Sequence, residues 1–258
     1  MGIDPVAFTI GGIPVRWYGI FVALSILVIV LWVLREVRRG AKLSYDTIFT
    51  AALVGIPSGI IFSRLLHVID RWDYYSLNPG HIIGAAGLTF YGAVLGATLA
   101  IWIYSKVGNF QFGYVADLVA PAILLGQAVG RAGCAINGCC YGIETSLPWG
   151  LVYTHPNSLA PLGVAIHPTQ VYEIINNLIV FTVLLRLRGR FKPDGSLFLI
   201  YLSLYALWRV GSDFLRSGTP FLFGLHQAQV IGIVVLAITI PLLAYRTRWV
   251  KQSADGND

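Results

Sequence analysis

A short segment at residues 130–142 concentrates side chains that could do chemistry. Its sequence is GRAGCAINGCCYG, and it brings Arg131, Asn137 and three cysteines together where a long apolar run ends. A guanidinium is permanently charged and presents a fork of donors that matches phosphate oxygens. An asparagine can add a neutral hydrogen bond beside it. The segment therefore indicates a phosphate-binding site at the edge of an apolar region.

A second polar segment, WRVGSDFLR at residues 208–216, contains Arg209, Asp213 and Arg216. The first two of these are four residues apart, so they lie on one face of a helix. A structural ion pair would account for this spacing. Alternatively, Asp213 orients Arg209 while the guanidinium also meets a ligand anion.

A third segment, HPTQVYE at residues 167–173, places His167 and Glu173 at the start of another apolar run. A His-Pro pair at such a position can simply cap a helix. A glutamate inside an apolar helix, however, requires a partner, because an unpaired charge is costly there. Glu173 is therefore a candidate site residue.

The elements that must position these residues are membrane helices. Of the 258 residues, 56% are hydrophobic and 12% are charged, against roughly 45–50% and 25% in a soluble domain. The net charge of +6 comes from Lys and Arg clusters beside apolar runs, which is the pattern of membrane topology and excludes a nucleic-acid partner. We expect one polytopic membrane domain over residues 1–258, with 251–258 as a free tail.

Seven runs are long and apolar enough to be spans, since a helix needs about 20 such residues to cross a hydrocarbon core of about 30 Å. We therefore predict an all-α integral membrane protein with about seven transmembrane helices. The predicted spans cover residues 18–34, 48–69, 83–104, 115–132, 169–185, 197–215 and 227–243.

The basic residues predict the orientation, because short cytoplasmic loops are enriched in Lys and Arg. Four alternate loops or ends hold most of them: Arg35, Arg38, Arg39, Lys42, Lys106, Arg186, Arg188, Arg190, Lys192, Arg246, Arg248 and Lys251. The opposite side receives only Arg16, Arg71 and Arg216. We therefore expect the N-terminus outside and the C-terminus in the cytoplasm.

Three arginines, Arg64, Arg131 and Arg209, fall inside predicted spans or at their outer margin. Such a charge costs about 2.5–3.5 kcal/mol at the bilayer centre, so it normally faces a polar cavity, pairs with an acid or carries function. For Arg64 the alternative is a helix-end arginine that extends its head group to the interface.

Glycines recur in the second, third and fourth predicted spans. Small residues at such spacings let helices approach closely, and packing explains most of them. Glycine also permits the backbone to approach a ligand. The glycines concerned are Gly59, Gly84, Gly87, Gly92, Gly96, Gly126, Gly130 and Gly133.

Five motifs together resemble one protein family. WYG (17–19), GLTFYG (87–92), GRAGCAINGCCYG, HPTQVYE and the segment from Arg209 to Arg216 occur in the order seen in prolipoprotein diacylglyceryl transferases. The match covers residues 16–216. Members of this family are bacterial inner-membrane enzymes with seven helices and an outward-facing head between the fourth and fifth, here residues 133–166. That fold agrees with the topology that the charges predict.

The resemblance implies a reaction in which the diacylglyceryl group of phosphatidylglycerol passes to the lipobox cysteine of a prolipoprotein signal peptide and glycerol phosphate leaves. Arg131 matches the family's phospholipid-binding arginine, and Arg209 matches its second essential arginine. Both would stabilise the charge that grows on the leaving phosphate. The expected substrate-binding residues are Tyr18, Arg64, Gly87, Gly92, Arg131, Asn137, Gly142, His167, Glu173, Asp213 and Arg216.

The chain departs from the family pattern at several site positions. Tyr91 replaces the histidine proposed as the base, and a tyrosine with a pKa of about 10 is a poor base unless perturbed. We keep Tyr91 as a catalytic candidate. The alternatives are that another residue takes the proton, that the arginines lower the pKa of the substrate thiol sufficiently, or that the activity is altered. Cys134 and Cys139 replace an asparagine and a glutamate, whose roles are not carried over. Asp213 is one methylene shorter than the family's glutamate.

Three cysteines, Cys134, Cys139 and Cys140, are expected on the oxidising side of the membrane, where a disulfide can persist. Because their number is odd, at least one should stay free or pair with another chain. They could be small buried side chains, a disulfide from Cys134 to Cys139 or Cys140, or catalytic groups. Zinc is not expected, since structural sites take four ligands at other spacings. The sequence indicates no metal and no organic cofactor.

Two other functions are compatible with parts of the sequence. A transporter or lipid-binding protein also uses broken helices and buried arginines, although no internal repeat is evident here. A membrane thiol oxidoreductase would use Cys139 and Cys140, which lack the C-x-x-C spacing. We favour a monomeric, multi-pass transferase of the bacterial inner membrane whose partners are phosphatidylglycerol, prolipoproteins and the surrounding membrane lipids.

Overall fold

The fold is known from a computed structural model, which describes residues 1–83, 90–218 and 221–250. For Phe90 and Tyr91 it describes the backbone but not the side chain. The chain forms two compact units. The first combines Met1–Trp32 with Gly113–Asp258, and the second is Val33–Phe112. The polar segments around Arg131, Glu173 and Arg209 all belong to the first unit.

Eight α-helices account for most of the described residues. They are α1 (Trp17–Arg38), α2 (Tyr45–Asp70), α3 (Trp72–Leu77), α4 (Phe90–Val107), α5 (Phe112–Asn137), α6 (Thr169–Leu187), α7 (Ser196–Ser212) and α8 (Gln227–Arg246). Six of these helices are long and apolar enough to cross a membrane, namely α1, α2, α5, α6, α7 with the turn that follows it, and α8. The all-α membrane fold is thus confirmed.

The third predicted span differs from the other six. Its helix, α4, is a shorter apolar helix among the described residues, and the part of the predicted span at 84–89 lies outside them. The count of seven spans and the orientation with the N-terminus outside therefore stay predictions.

Helix α5 continues well past its predicted end at residue 132 and finishes at Asn137. The sequence suggested an earlier end because polar residues and glycines begin there. Gly126 and Gly133 do not break the helix, because they are the positions where it packs on α1. A Cβ at Gly133 would lie 2.6 Å from Cβ of Phe21, and one at Gly126 would lie 3.0 Å from the Ile29 side chain.

Six short strands, which the sequence did not predict, form three antiparallel pairs. They are β1 (Val6–Ile10) with β2 (Ile13–Arg16), β3 (Leu151–Val152) with β4 (Ala165–Ile166), and β5 (Phe191–Lys192) with β6 (Arg248–Trp249). Four of them contain two residues each, which is too short for an alternating hydrophobic pattern.

The core of the first unit lies between α5, α6 and α7. It consists of apolar side chains that are almost fully buried: Ala120, Leu124, Val180, Leu184, Leu197 and Tyr201. Helix α8 packs on α7 at Gly232, where a Cβ would come 2.8 Å from the Val210 side chain. The core thus joins α5, α6 and α7, the three helices that carry Arg131, Glu173 and Arg209.

In the second unit, α2 and α4 pack closely through small residues. A Cβ at Gly92 would lie 2.5 Å from the carbonyl oxygen of Phe62, and one at Gly96 would lie 2.6 Å from that of Ser58. The prediction that glycines here permit close helix packing is confirmed. The predicted ligand contact of Gly92 stays a proposal.

The segment between α5 and α6, which contains β3 and β4, folds over the end of α5. Tyr153 is almost fully buried, and its hydroxyl donates to the Ala135 carbonyl at 2.7 Å. Burial raises the pKa of Tyr153 to about 12, so the phenol remains protonated as this donor. The amide of Leu159 donates to the Asn137 carbonyl at 3.2 Å. This is the segment that we predicted as the head; its location outside the membrane stays a prediction.

Candidate active site

Side chains from three separate segments meet at one buried carboxylate. Nη2 of Arg131, near the end of α5, lies 2.8 Å from Oε1 of Glu173, near the start of α6. Nη1 of Arg209, in the last turn of α7, lies 3.8 Å from Oε2 of the same glutamate, and Nη1 of Arg216 lies equally close. The partner that Glu173 requires is therefore a group of three guanidiniums.

A second carboxylate, Asp213, sets the positions of two of these arginines. It follows α7 in a 3₁₀ turn, Asp213–Leu215. Its Oδ1 lies 2.7 Å from Nη2 of Arg209 and 3.7 Å from Nε of Arg216, and its Oδ2 lies 3.0 Å from Nδ1 of His226. The predicted pairing of Asp213 with Arg209 is thus present, and it extends to two further residues.

The two carboxylates, Glu173 and Asp213, and the three arginines form a cluster that is deeply buried. Some of its donors have no hydrogen-bond partner among the described residues. The side chain of Glu173 is 3% exposed, whereas that of Arg131 is 18% exposed. Nη1 of Arg209 and Nη1 of Arg216 are buried and have no hydrogen-bond partner among the described residues. Buried donors of this kind are usually satisfied by a partner. Two guanidinium groups therefore each have a donor available for an anion.

Other predicted residues border the cluster from the side of α1. Oδ1 of Asn137 accepts a hydrogen bond from Nη1 of Arg16 at 3.1 Å, immediately before α1 begins. Tyr18 lies in the first turn of α1 and is partly exposed, close to where Gly133 of α5 packs. The start of α1 and the end of α5 are thus adjacent, as a shared site requires.

Gly142 and His167 join the segment after α5 to the start of α6. The amide of Gly142 donates to the His167 carbonyl at 3.0 Å, and the amide of Ile143 donates to the Leu215 carbonyl at 2.9 Å. Gly142 also forms a β-bridge with Arg216. Three backbone segments therefore meet at this glycine. The His167 ring lies 3.3 Å from the Tyr172 hydroxyl.

Gly142→Ala is expected to destabilise the protein by about 1–3 kcal/mol, the usual cost of overpacking. The added methyl group would lie 2.5 Å from Cβ of His167 and 2.6 Å from the Leu215 carbonyl oxygen, so the backbone beside Arg216 must shift. Thermal unfolding in detergent measures the effect. Gly211→Ala is the matched control, since a Cβ there meets nothing within 4 Å; equal unfolding temperatures for the two variants would contradict the prediction.

Arg64 belongs to the second unit and has structural contacts there. Its Nε donates to the Ile82 carbonyl at 2.9 Å, and its guanidinium lies over the Tyr75 ring at 5.1 Å from the centroid. These contacts tie α2 to the segment after α3. A role of Arg64 in substrate binding stays a proposal.

Two predicted site residues are outside what the structure describes. Gly87 lies in the undescribed segment 84–89, and the side chain of Tyr91 is likewise outside the described part of the chain. The catalytic role of Tyr91 and the ligand contact of Gly87 therefore stay proposals.

The three cysteines are free thiols that lie together. Cys134 is buried, and Cys139 and Cys140 are partly exposed. Their Sγ atoms lie within 4.8 Å of one another. A disulfide between two of them, which the sequence left open, is not formed in the structure.

The sequence did not identify three residues that take part in the cluster. Tyr205, whose hydroxyl lies 3.4 Å from Oε1 of Glu173, stands one helical turn before Arg209, and this spacing was an available signal. Arg16 and His226 gave no local signal. Their contacts to Asn137 and Asp213 depend on how distant segments pack.

Comparison with known proteins gives a family match over most of the chain. A family model described as prolipoprotein diacylglyceryl transferase matches residues 5–245. A phosphatidylglycerol–prolipoprotein diacylglyceryl transferase of Dehalococcoides mccartyi is 52% identical over 257 residues, which is 100% of this chain and 98% of that protein.

Two more distant relatives carry the same name. The protein of Clostridioides difficile is 36% identical over 90% of this chain and 91% of its own length. That of Finegoldia magna is 32% identical over 96% and 98%. Together with the family match over nearly the whole chain, these similarities show that this multi-pass membrane protein is a transferase of the prolipoprotein diacylglyceryl transferase family.

Proposed function

We propose that this protein transfers the diacylglyceryl group of phosphatidylglycerol to the thiol of the lipobox cysteine in a prolipoprotein. The observation that carries the proposal is the convergence of Arg131, Arg209 and Arg216 on Glu173. Two of these guanidiniums have a buried donor without a hydrogen-bond partner among the described residues. Such a group suits a phosphate ester better than it suits any neutral ligand.

The proposed reaction breaks one bond and forms one bond. The thiolate sulfur attacks the glycerol carbon that carries the phosphate, a thioether forms, and glycerol phosphate leaves with the electrons of the carbon–oxygen bond. Negative charge grows on the phosphate oxygen as that bond breaks, and the guanidiniums stabilise it. The thiol proton passes to a base, since the thiolate is the nucleophile.

Tyr91 is the proposed participant in the proton transfer. Tyr91→Phe keeps the ring and removes the hydroxyl, so it is expected to lower the transfer rate, by about 100-fold if the phenol acts in acid–base chemistry. The initial rate on a lipobox peptide measures this. An unchanged rate would place the deprotonation elsewhere.

The surroundings and the partners of the protein follow from the same proposal. A lipid substrate and a signal peptide both reach the protein in the bilayer, so we place the chain in the bacterial inner membrane. The N-terminus and the head at 133–166 face outward, because the basic loops face the cytoplasm. We also propose a monomer, since Arg131, Glu173, Arg209 and Arg216 come together within one chain.

The proposed function is tested with the purified protein, phosphatidylglycerol vesicles and a peptide that contains a lipobox cysteine. The peptide is expected to gain the mass of a diacylglyceryl group, and a peptide with serine at that position is expected to gain none. Vesicles of phosphatidylcholine alone are the lipid control. If no lipid gives a mass gain, lipid binding or transport without chemistry becomes the better explanation.

Replacing all three cysteines, Cys134, Cys139 and Cys140, with serine is expected to leave the rate of lipid transfer close to that of the unchanged protein. The acceptor thiol belongs to the substrate, and the guanidinium cluster does not include the cysteines. The transfer assay on the triple variant measures this. A loss of transfer in a variant that still accumulates in membranes would instead support thiol chemistry by the protein.

A further inference from the structure

We propose that Cys134, Cys139 and Cys140 form a three-thiolate site for one soft metal ion of the Cu(I) class. The three Sγ atoms lie within 4.8 Å of one another. When three sulfurs bind one metal in a trigonal plane with metal–sulfur distances of about 2.3 Å, the sulfur atoms are about 4 Å from one another. The thiols therefore need only small side-chain rotations to close around an ion.

The backbone holds the thiols in this arrangement. Gly138 and Cys140 have φ angles of 73° and 61°, and these turn the chain back toward the end of α5. The Cys139 amide then donates to the Cys134 carbonyl at 3.1 Å. A positive φ is uncommon for a residue other than glycine and persists only where the surroundings enforce it. Cys140 is thus held in position by the fold.

Two buried side chains of α6 fix the same turn. Nε2 of Gln170 donates to the Cys139 carbonyl at 2.8 Å, and Oγ1 of Thr169 donates to the Cys140 carbonyl at 2.7 Å. Both hydrogen bonds use backbone oxygens of the turn, so they position the cysteines without occupying the sulfur atoms. The site is organised before an ion arrives.

The ligand set favours Cu(I) over the commoner ions. Thiolates are soft ligands and select copper(I) or zinc over magnesium and calcium. Structural zinc takes four protein ligands, and no fourth histidine, cysteine or carboxylate joins this group within the described ranges. Cu(I) is satisfied by three sulfurs in a plane.

The local charge also suits a three-thiolate site. The positive charges of Arg131 and Arg216 act on the Cys140 thiol. Three thiolates with Cu(I) carry two negative charges. Arg131 and Arg216, the arginines that act on Cys140, offset this charge.

The test is a competition between the reduced, full-length protein in detergent and a chromophoric Cu(I) chelator under anaerobic conditions. The protein is expected to take one Cu(I) per chain from the chelator. Loss of an outer-shell partner lowers metal affinity by roughly 10–100-fold. Cys139→Ser removes a direct ligand, so it should lower the affinity for Cu(I) by more than that. His155→Ala, which removes a partly exposed histidine of the head, should bind as the unchanged chain does.

X-ray absorption of the copper-loaded, unchanged chain is the second measurement, and it does not depend on any variant folding. Three sulfur neighbours are expected. The proposal is overturned if the chelator keeps its copper, if the triple serine variant competes equally well, or if copper binds through nitrogen or oxygen. A disulfide between two of the three cysteines in protein purified without reductant would also overturn it. None of these readouts uses lipid transfer, so their failure leaves the proposed function untouched.

Discussion

Arg131→Ala is expected to lower the rate of diacylglyceryl transfer by at least about 100-fold, the effect of removing one donor that stabilises charge in a transition state. Arg131 is the guanidinium in direct contact with Glu173, at 2.8 Å, and it is also the most exposed of the three. It is therefore the arginine that we propose to meet the phosphate of the lipid substrate. The rate on a lipobox peptide, followed by mass spectrometry, measures the loss.

The variant should still insert and accumulate. Glu173 keeps Arg209 and Arg216 nearby, each at 3.8 Å, so its charge remains compensated. Arg131→Lys keeps the positive charge but loses the forked set of donors. Its transfer rate should therefore lie between that of the unchanged protein and that of Arg131→Ala. Arg186→Ala is the matched control, because Arg186 is an exposed arginine in the last turn of α6. Near-normal turnover by Arg131→Ala would remove the central assignment.

The residue types of the site could be predicted from the sequence because charges in apolar helices are rare and costly. Besides Arg64, which belongs to the second unit, that argument selects three residues, Arg131, Arg209 and Glu173, without any knowledge of the fold. It does not say that all three meet, since the contacts join α5, α6 and α7 over long stretches of chain. The family resemblance suggested the roles that we propose for them, and the structure adds that the carboxylate of Glu173 joins the two arginines.

The parts that could not be predicted depend on packing between distant segments. Arg216 was expected at the site, but its approach to Glu173 depends on Gly142, which lets three backbone segments meet. Likewise, the end of α5 at Asn137 follows from tertiary partners, such as Arg16, that satisfy its polar residues. Helices were predictable where a long apolar run decides the structure, and less so where polar contacts decide it.

Glu173→Gln is expected to impair both stability and transfer. The substitution keeps the shape of the side chain and removes its charge, so three guanidiniums are left with Asp213 as the carboxylate beside them. Removing the charge of one partner in a buried ion pair lowers the free energy of unfolding by about 3–5 kcal/mol. We expect a clear fall in the thermal unfolding temperature in detergent, together with a loss of transfer, because Arg131 no longer has the negatively charged partner that orients it.

A double-variant cycle separates this pairing from a general loss of stability. Since Arg131 and Glu173 share a 2.8 Å contact, the combined variant Arg131→Ala with Glu173→Gln should be less destabilised than the sum of the single variants. Glu144→Gln, which neutralises an exposed glutamate of the same unit, is the charge-matched control and should unfold as the unchanged chain does. Additive destabilisation in the cycle would mean that the two side chains do not depend on each other. In that case Glu173 would not be the residue that holds Arg131 toward the lipid phosphate.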